Sequence, residues 1–282
     1  MNNILLTGLP RSGTTLMCNL LGELPDTVAL HEPLEVAILP TLERPDGVIA
    51  HLDGFFCANR KSLLEQGLAS SKHIDGKIPT NPFSEKQPLF GKRKERSQPG
   101  VIRVNKPLGS DFLLAIKHPA AITALIEDLR ERYRIFATVR NPLSVLCSWS
   151  SLPVPVSKGF APAAEELDLK LRTDLAALPS VLDRQVHLLC WFFERYIRLL
   201  PREQVIRYED LVQSDGRTLG VITPYANKLE CSLESRNANK LYDPAVKQRA
   251  GAALLALDDS ASCWKFYDKG DIEQLLAISN QV

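Results

Sequence analysis

A short apolar strand that runs into a glycine-containing loop and then an amphipathic helix constrains the fold of this chain most strongly. Residues 3–7 (NILLT) have the composition of a buried strand, and residues 8–15 (GLPRSGTT) form the loop. The helix predicted over residues 14–23 carries four apolar side chains at helical spacing on one face. A strand joined to a helix by a short loop is the unit from which parallel sheets are built. The segment therefore predicts an α/β protein.

The rest of the chain repeats this alternation of strands and helices. Further strands are predicted over residues 27–30, 112–117, 134–139 and 204–208, and further helices over 120–132 and 181–200. This order favours a single domain spanning residues 1–282, with a P-loop-like three-layer α/β/α architecture around a central, mostly parallel sheet.

Two stretches interrupt the alternation, around residues 33–110 and 150–180. There the pattern dissolves into proline, glycine and mixed polar residues. Long insertions beside a site are where lids and substrate-binding segments tend to lie. We therefore expect both stretches to line a substrate site.

Charge and cysteine content narrow the class of partner. Thirty-four basic and thirty-three acidic residues give a formal net charge of +1. No global field favours nucleic acid or an anionic membrane, so any anion site is local. The six cysteines are scattered without zinc-ligand spacing, which is typical of reduced thiols and predicts no metal. No apolar run approaches the roughly 20 residues of a membrane span, and we expect a cytoplasmic protein.

The first loop has the chemistry of an anion site. Backbone N–H groups in such a loop converge at the positive end of the helix dipole, where they bind phosphate. In nucleoside triphosphatases a lysine follows the second glycine and reaches the phosphates. Here Thr14 occupies that position and the cation is Arg11. The replacement favours a ligand with one 5′-phosphate that bears a transferable group over a Mg-triphosphate. The competing interpretation is a tight turn with an incidental arginine.

A second strand-to-helix junction has similar features. The strand predicted over residues 134–139 is followed by Arg140, and Asn141 and Pro142 are a good N-cap and a good first helical residue. Ser144 and Ser148 are four residues apart and share a face of the next helix. An arginine at a strand end with hydroxyls on the following helix predicts a phosphate clamp. The alternative is an arginine salt bridge beside a capped helix.

The two junctions together resemble those of the sulfotransferases that use 3′-phosphoadenosine 5′-phosphosulfate (PAPS). The 5′-phosphosulfate loop of that family reads Pro-Arg/Lys-Ser-Gly-Thr-Thr, which matches residues 10–15. Its 3′-phosphate motif is an arginine followed eight residues later by a serine, which matches Arg140 and Ser148. A YEDL segment at residues 208–211 resembles a late strand of the family, and we expect Tyr208 and Glu209 to be structural. The arginine form of the loop is similar to the Golgi-type, tyrosylprotein and bacterial branch.

The resemblance runs from residue 4 to about residue 212, with long unmatched stretches. It implies PAPS as the donor co-substrate. The residues implied to bind it are Arg11, Ser12, Gly13, Thr14, Thr15, Arg140 and Ser148. Beyond the matched region, the candidates for further nucleotide contacts are Ser232, Ser235, Arg236 and Lys240.

Glu32, Lys117 and Arg11 are the catalytic residues that the resemblance implies. Glu32 lies twenty-one residues after Arg11, which is similar to the position of the glutamate base in tyrosylprotein and other Golgi-type members. A carboxylate in reach of the acceptor takes its proton, particularly if burial raises its pKa. Lys117 begins a match to the family's Lys-x-Pro and is expected to assist the leaving group.

Two histidines are alternatives to Glu32 as the base. His31 precedes it directly in the sequence. His118 is one residue away from the phasing of the Lys-Thr-His found in cytosolic members, where histidine is the base. Glu35 is a more remote candidate.

The expected function is transfer of a sulfuryl group from PAPS to an acceptor hydroxyl by in-line displacement, an activity of the EC 2.8.2 type. A carbohydrate or a small metabolite is the favoured acceptor, bound by the insertions around residues 33–110 and 150–180. Two other classes stay open: a Mg-dependent P-loop kinase of small molecules, and a non-catalytic binding protein with the same fold. The missing lysine in the loop disfavours the kinase. Glu32 and Lys117 beside both anion motifs disfavour the binding protein.

Overall fold

A computed structural model describes residues 2–84 and 93–278 of the chain. Its centre is a sheet of five parallel strands in the order β2-β5-β1-β6-β7. A separate antiparallel pair, β3 and β4, lies beside it. The strands are β1 (Asn3–Gly8), β2 (Thr27–His31), β3 (Leu68–His73), β4 (Gln98–Arg103), β5 (Leu113–Lys117), β6 (Arg134–Val139) and β7 (Val205–Arg207).

Helices cover both faces of this sheet. They are α1 (Thr14–Glu23), α2 (Asp46–Gln66), α3 (Pro119–Leu129), α4 (Pro142–Ser150), α5 (Pro162–Glu165), α6 (Leu169–Ala177), α7 (Val181–Leu199), α8 (Tyr208–Gln213), α9 (Pro244–Leu255) and α10 (Lys269–Ala277). Shorter 3-10 turns lie at Val36–Thr41, Pro155–Lys158, Arg202–Gln204, Arg217–Val221, Pro224–Lys228 and Ser262–Lys265.

Side chains that alternate along the strands contribute to two hydrophobic cores, one on each face of the sheet. Ile4 and Leu6 of β1 face a cluster formed with α1 and α8, whereas Leu5 faces the larger cluster formed with α2, α3, α4 and α7. Successive side chains of a strand point to opposite faces, so an almost continuously apolar strand is buried on both. This arrangement confirms the predicted three-layer α/β class with a mostly parallel sheet. The five predicted strands match the observed ones to within one residue at each end.

Residues 33–110 contain more regular structure than the sequence pattern indicated. Instead of irregular chain, this stretch holds the 21-residue helix α2 and the β3–β4 pair. The pattern of α2 is hard to recognise because its buried positions form a narrow stripe that includes a charged residue. The buried positions are Val48, Leu52, Phe56, Arg60 and Leu63. Residues 85–92 of this insertion lie outside the described residues.

All five parallel strands end at the same edge of the sheet, and this edge positions the candidate site. Pairing places His31 of β2 beside Lys117 of β5, and Leu6 of β1 beside the same lysine. On the other side of β1, Gly8 pairs with Thr138 of β6. The loops that follow these strands therefore meet in space although they are far apart in sequence.

Candidate active site

The loop after β1 has the backbone conformation of an anion cradle. Arg11 and Gly13 have positive φ values of 73° and 93°. Ser12 holds the loop from beneath, since its buried hydroxyl donates to the carbonyl oxygens of Leu9 (2.7 Å) and Thr138 (2.8 Å). The Ser12 side chain therefore stabilises the loop, and it lines neither of the two cavities described below.

Gly13 lies where the loop meets Tyr208, the first residue of α8. A Cβ atom at Gly13 would lie 2.8 Å from the Tyr208 ring. Thr14 and Thr15 begin α1 and line the cavities described below. Because this close approach requires glycine, the loop sequence and the start of α8 are coupled by packing.

Arg140 and Ser148 lie next to the loop. The Arg11 guanidinium donates to the Ser148 hydroxyl (Nε to Oγ, 3.2 Å), and Arg140 donates to the carbonyl oxygen of Arg11 (Nη1 to O, 3.0 Å). Asn141 caps α4 as the sequence indicated, because its side chain accepts from the backbone N–H groups of residues 143 and 144. The two strand-to-helix junctions are therefore in direct contact.

A cavity of about 560 Å³ opens at this contact. Four arginines, Arg11, Arg93, Arg140 and Arg236, and one glutamate, Glu234, line it. Like charges at close range raise the energy of a site unless an anion joins them. The lining therefore suits a ligand that carries more than one negative charge.

The pKa of Arg11 reflects the presence of these neighbouring cations. Burial, together with Arg140 and Arg93, lowers the pKa of the Arg11 guanidinium to about 10. Its side chain donates to Asn81 Oδ1 (3.2 Å) and its guanidinium lies 4.9 Å from the centre of the Phe83 ring. Among the described residues the partners of Arg11 are neutral and none forms an ion pair with it, which leaves its charge to be balanced by a bound anion.

Arg93 is a second cation with incomplete partners. It is 4% exposed, and its Nε atom is buried without a hydrogen-bond partner. Its terminal nitrogens make long contacts to the Ser84 carbonyl oxygen (3.5 Å) and the Ser151 hydroxyl (3.4 Å). Such a buried donor is costly unless a ligand accepts from it.

Arg140 is already engaged by the protein. It donates to Asn237 Oδ1 (2.8 Å) and to the Arg236 carbonyl oxygen (2.6 Å), and it lies over the Tyr208 ring at 4.5 Å. These contacts tie the loop after β1 to the chain segment near residue 236. Arg140 therefore holds segments of the cavity wall together through hydrogen bonds, in addition to lining the cavity.

Glu32 lies beyond the loop, in a cluster of charged side chains. It directly follows β2, with a positive φ of 46°, and its N–H donates to the Lys117 carbonyl oxygen (2.9 Å). Lys117 donates to one carboxylate oxygen of Glu32 (Nζ to Oε1, 2.8 Å) and Lys72 donates to the other (Nζ to Oε2, 2.8 Å). Lys117 also reaches the Thr15 hydroxyl at 3.4 Å, which connects the cluster to the loop.

The Glu32 carboxyl is more acidic than an ordinary glutamate. Burial by itself would raise its pKa, but Lys117, His31 and Lys72 outweigh burial and hold the pKa well below its usual value of 4.5. The net effect is therefore a lowered pKa in place of the raised one that burial alone would give, because two ammonium groups lie within hydrogen-bond distance. Glu32 is ionised throughout the neutral range.

The two histidines beside Glu32 are buried and neutral. Burial, with a smaller effect of Lys117, lowers the pKa of His31 to about 4, and burial lowers that of His118 to about 3. His118 Nε2 accepts from the backbone N–H of Leu34 (2.9 Å), so its lone pair is occupied. His31 Nε2 lies 3.5 Å from Glu32 Oε1. The geometry therefore ranks His118 below Glu32 as a base.

A second cavity, of about 290 Å³, lies on the Glu32 side of the loop. Its polar end holds His31, Glu32, Lys72 and Lys117. It shares four lining residues with the first cavity: Arg11, Thr14, Thr15 and Pro82. The loop after β1 is thus the boundary between a cationic cavity and one that carries a carboxylate.

Comparison with known proteins gives structural neighbours only. No family model matches the chain, and no curated protein matches it significantly. One similar solved structure is a sulfotransferase domain from the curacin biosynthetic pathway, with 14% identity and a TM-score of 0.39, covering 98% of this chain and 96% of that one. Another is the sulfotransferase STF1 from Mycobacterium tuberculosis H37Rv, with 13% identity and a TM-score of 0.32, covering 98% and 76%. Similarity this weak carries no argument about activity.

Lys72 was not recognised in the sequence; it lies on β3, within the insertion whose regular structure the pattern did not reveal. Arg93, in the basic stretch of the same insertion just before β4, lines the first cavity. Of the four candidates beyond residue 212, Ser232 and Arg236 line the first cavity, whereas Ser235 and Lys240 do not. Tyr208 also lines it, in addition to packing. Glu209 accepts from the Asn141 N–H and from Asn237, so its contacts are with the protein.

In residues 2–84 and 93–278, no cluster of histidine, cysteine, aspartate and glutamate has the arrangement of a metal site. None of the helices in these ranges has the length and apolar character to cross a membrane.

Proposed function

We propose that this chain transfers a sulfuryl group from PAPS to an acceptor hydroxyl. The observation that carries the proposal is the position of the loop after β1, which separates a cavity lined by four arginines from one that holds Glu32 and Lys117. A donor with a phosphate at each end fits the first cavity, and its transferable group then meets the second across the loop. Sulfuryl transfer depends on such alignment and on charge stabilisation more than on covalent participation of the protein.

In this proposal Arg11 and the N–H groups of the loop bind the 5′-phosphosulfate, and Arg140 and Ser148 bind the 3′-phosphate. Arg93 and Arg236 add charge to the same cavity. The buried, unpartnered Nε of Arg93 is the observation that fits a polyanionic donor best.

The chemical step uses the cluster around Glu32. The acceptor oxygen attacks the sulfur atom while its proton passes to Glu32, and the bond between sulfur and the bridging oxygen of the 5′-phosphate breaks. Lys117 stabilises the charge on that oxygen, a role supported by its 3.4 Å contact with the Thr15 hydroxyl of the loop. The products are a sulfate ester and adenosine 3′,5′-bisphosphate.

Calorimetry with adenosine 3′,5′-bisphosphate tests the donor. We expect binding that weakens by roughly 10- to 100-fold in Arg11→Ala, because a buried charge-assisted contact to phosphate is lost. Arg249→Ala removes an exposed arginine of α9 and is the matched control. Tight binding of Mg-ATP instead would support the kinase. Binding of the bisphosphate without transfer from PAPS to any hydroxyl would support the non-catalytic protein.

A further inference from the structure

The second cavity is polar at one end and apolar elsewhere. Its apolar wall includes Phe83, Val154, Val156, Phe160 and Ala163. Most of this wall comes from residues 154–163, within the second insertion. The wall is built into the fold, since Val156 and Phe83 are buried and Val154, Phe160 and Ala163 are half-buried.

The charged groups at the polar end are already paired with one another. Lys72 bridges Glu32 (2.8 Å) and Glu95 (3.5 Å), and Lys117 donates to Glu32. Among the described residues that line this cavity there is no asparagine, glutamine or aspartate. These are the side chains that usually satisfy the several hydroxyls of a sugar. The segment 154–163 contributes only apolar side chains to the lining, so a ligand body that lies against it finds no side-chain hydrogen-bond partner there.

The size of the cavity sets a second limit. A volume of about 290 Å³ lies at the lower end of the range for small-molecule pockets, which is roughly 300–1,000 Å³. A pocket of this size with apolar walls and polar groups at one end selects a ligand of matching polarity.

We infer that the second cavity takes a hydroxyl carried by a small apolar body, an aliphatic or aromatic alcohol, in preference to a carbohydrate. The role of that hydroxyl as the acceptor rests on the proposed function, whereas the binding of the alcohol in the cavity does not. The apolar body lies against residues 154–163, and the hydroxyl lies beside Glu32.

Binding of a homologous series of 1-alkanols, measured by calorimetry without donor, tests this inference. From 1-butanol to 1-octanol each added methylene buries more apolar surface, so binding should tighten about fourfold per carbon. 2-Naphthol probes an aromatic body, and methyl β-glucoside probes a carbohydrate of similar size. We expect the glucoside to bind at least 100-fold more weakly than the better of 1-octanol and 2-naphthol. Equal affinity for the glucoside, or no dependence on chain length, overturns the inference.

A cavity-filling variant locates the binding site. Ala163→Leu places extra side-chain volume in the second cavity and should weaken 1-octanol binding by tenfold or more, while adenosine 3′,5′-bisphosphate binds within twofold of the parent. Ala176→Leu, on an exposed position of α6, is the matched control and should change neither. If both variants bind 1-octanol equally, the inference is wrong.

The same data separate this inference from the proposed function. Alcohol binding that depends on chain length and on Ala163, without sulfuryl transfer, leaves the inference standing and contradicts the function. Transfer to the glucoside but not to 1-octanol or 2-naphthol supports the function and overturns the inference.

Discussion

Glu32 combines two properties that conflict in a general base. It lines the second cavity beside the loop after β1, yet two lysines hold its carboxylate in ion pairs at 2.8 Å. Ion pairing keeps it ionised but lowers its affinity for a proton, which weakens it as a base. Lys117 lowers the pKa of Glu32 more than Lys72 does. In the proposed function Lys117 also serves the leaving group, so Lys72 is the cation whose removal tests the basicity of Glu32 separately.

Substitution of Glu32 by glutamine tests its role directly. Loss of a general base typically costs 10²–10⁴-fold in rate, and we expect turnover at saturating PAPS to fall by that factor. Glu35→Gln, at an exposed position three residues later, should keep near-normal turnover. Near-normal turnover in Glu32→Gln would contradict the assignment of the base.

Lys72→Met should shift the pH dependence of the reaction. Removing one of the cations that lower the pKa of Glu32 raises that pKa, so the acid limb of kcat/KM should move to higher pH. The shift is measured from pH–rate profiles of the variant and the parent. An unchanged acid limb would show that Lys72 does not control the base, whatever happens to the overall rate.

At the scale of elements, the loop after β1 is coupled to α8. Gly13 has a φ of 93°, and a Cβ atom added there would lie 2.8 Å from the Tyr208 ring. That ring in turn lies under the Arg140 guanidinium at 4.5 Å. This stack connects β1, β6 and the segment after β7. The geometry of the donor cavity therefore depends on three junctions at once.

Gly13→Ala should disturb this stack. The left-handed backbone conformation costs alanine about 1–2 kcal/mol, and the added Cβ must displace the Tyr208 ring. We expect lower stability in urea unfolding and weaker binding of adenosine 3′,5′-bisphosphate. Gly54→Ala in α2 meets nothing within 4 Å and should be stabilising by about 0.5–1 kcal/mol, with unchanged binding. Equal effects of the two variants would contradict the coupling.

At the scale of the whole molecule, the buried neutral histidines make stability dependent on pH. His31 and His118 have folded-state pKa values of about 4 and about 3, against 6.5 for the unfolded chain. Below pH 6.5 the unfolded state binds more protons, so folding stability falls as pH falls. The depressed pKa of Glu32 acts in the same direction, but only below about pH 4.5.

Urea unfolding at pH 7.5 and pH 5 should reveal this dependence. Each histidine is expected to contribute about 2 kcal/mol of lost stability at pH 5. His118→Gln keeps an acceptor for the Leu34 N–H but removes the titrating ring, and should reduce the loss by about half. His187→Gln, at a position on α7 that is 39% exposed at the side chain, is the control. An equal pH dependence in both variants would contradict the assignment.

Local patterns in the sequence were sufficient to predict the sheet and both strand-to-helix junctions. Buried parallel strands are apolar at nearly every position, and loops such as residues 8–15 and the Asn141-Pro142 cap carry residues whose backbone preferences are local. The contact of Arg11 with Ser148 agrees with the predicted proximity of the two motifs. The regular structure of residues 33–110 was missed because α2 buries only a narrow stripe.

The tertiary structure alone decided the electrostatics and the shape of the site. Lys72 and Arg93 reach it from β3 and the chain before β4, and nothing in their local sequence indicates a partner tens of residues away. The direction of the Glu32 pKa depends on through-space distances to two lysines, which sequence spacing does not encode. Residues 154–163 form the apolar wall of the second cavity only because folding places them in the same cavity as Glu32. Short-range preferences fix strands and turns, whereas charge balance and cavity lining arise from contacts between distant segments.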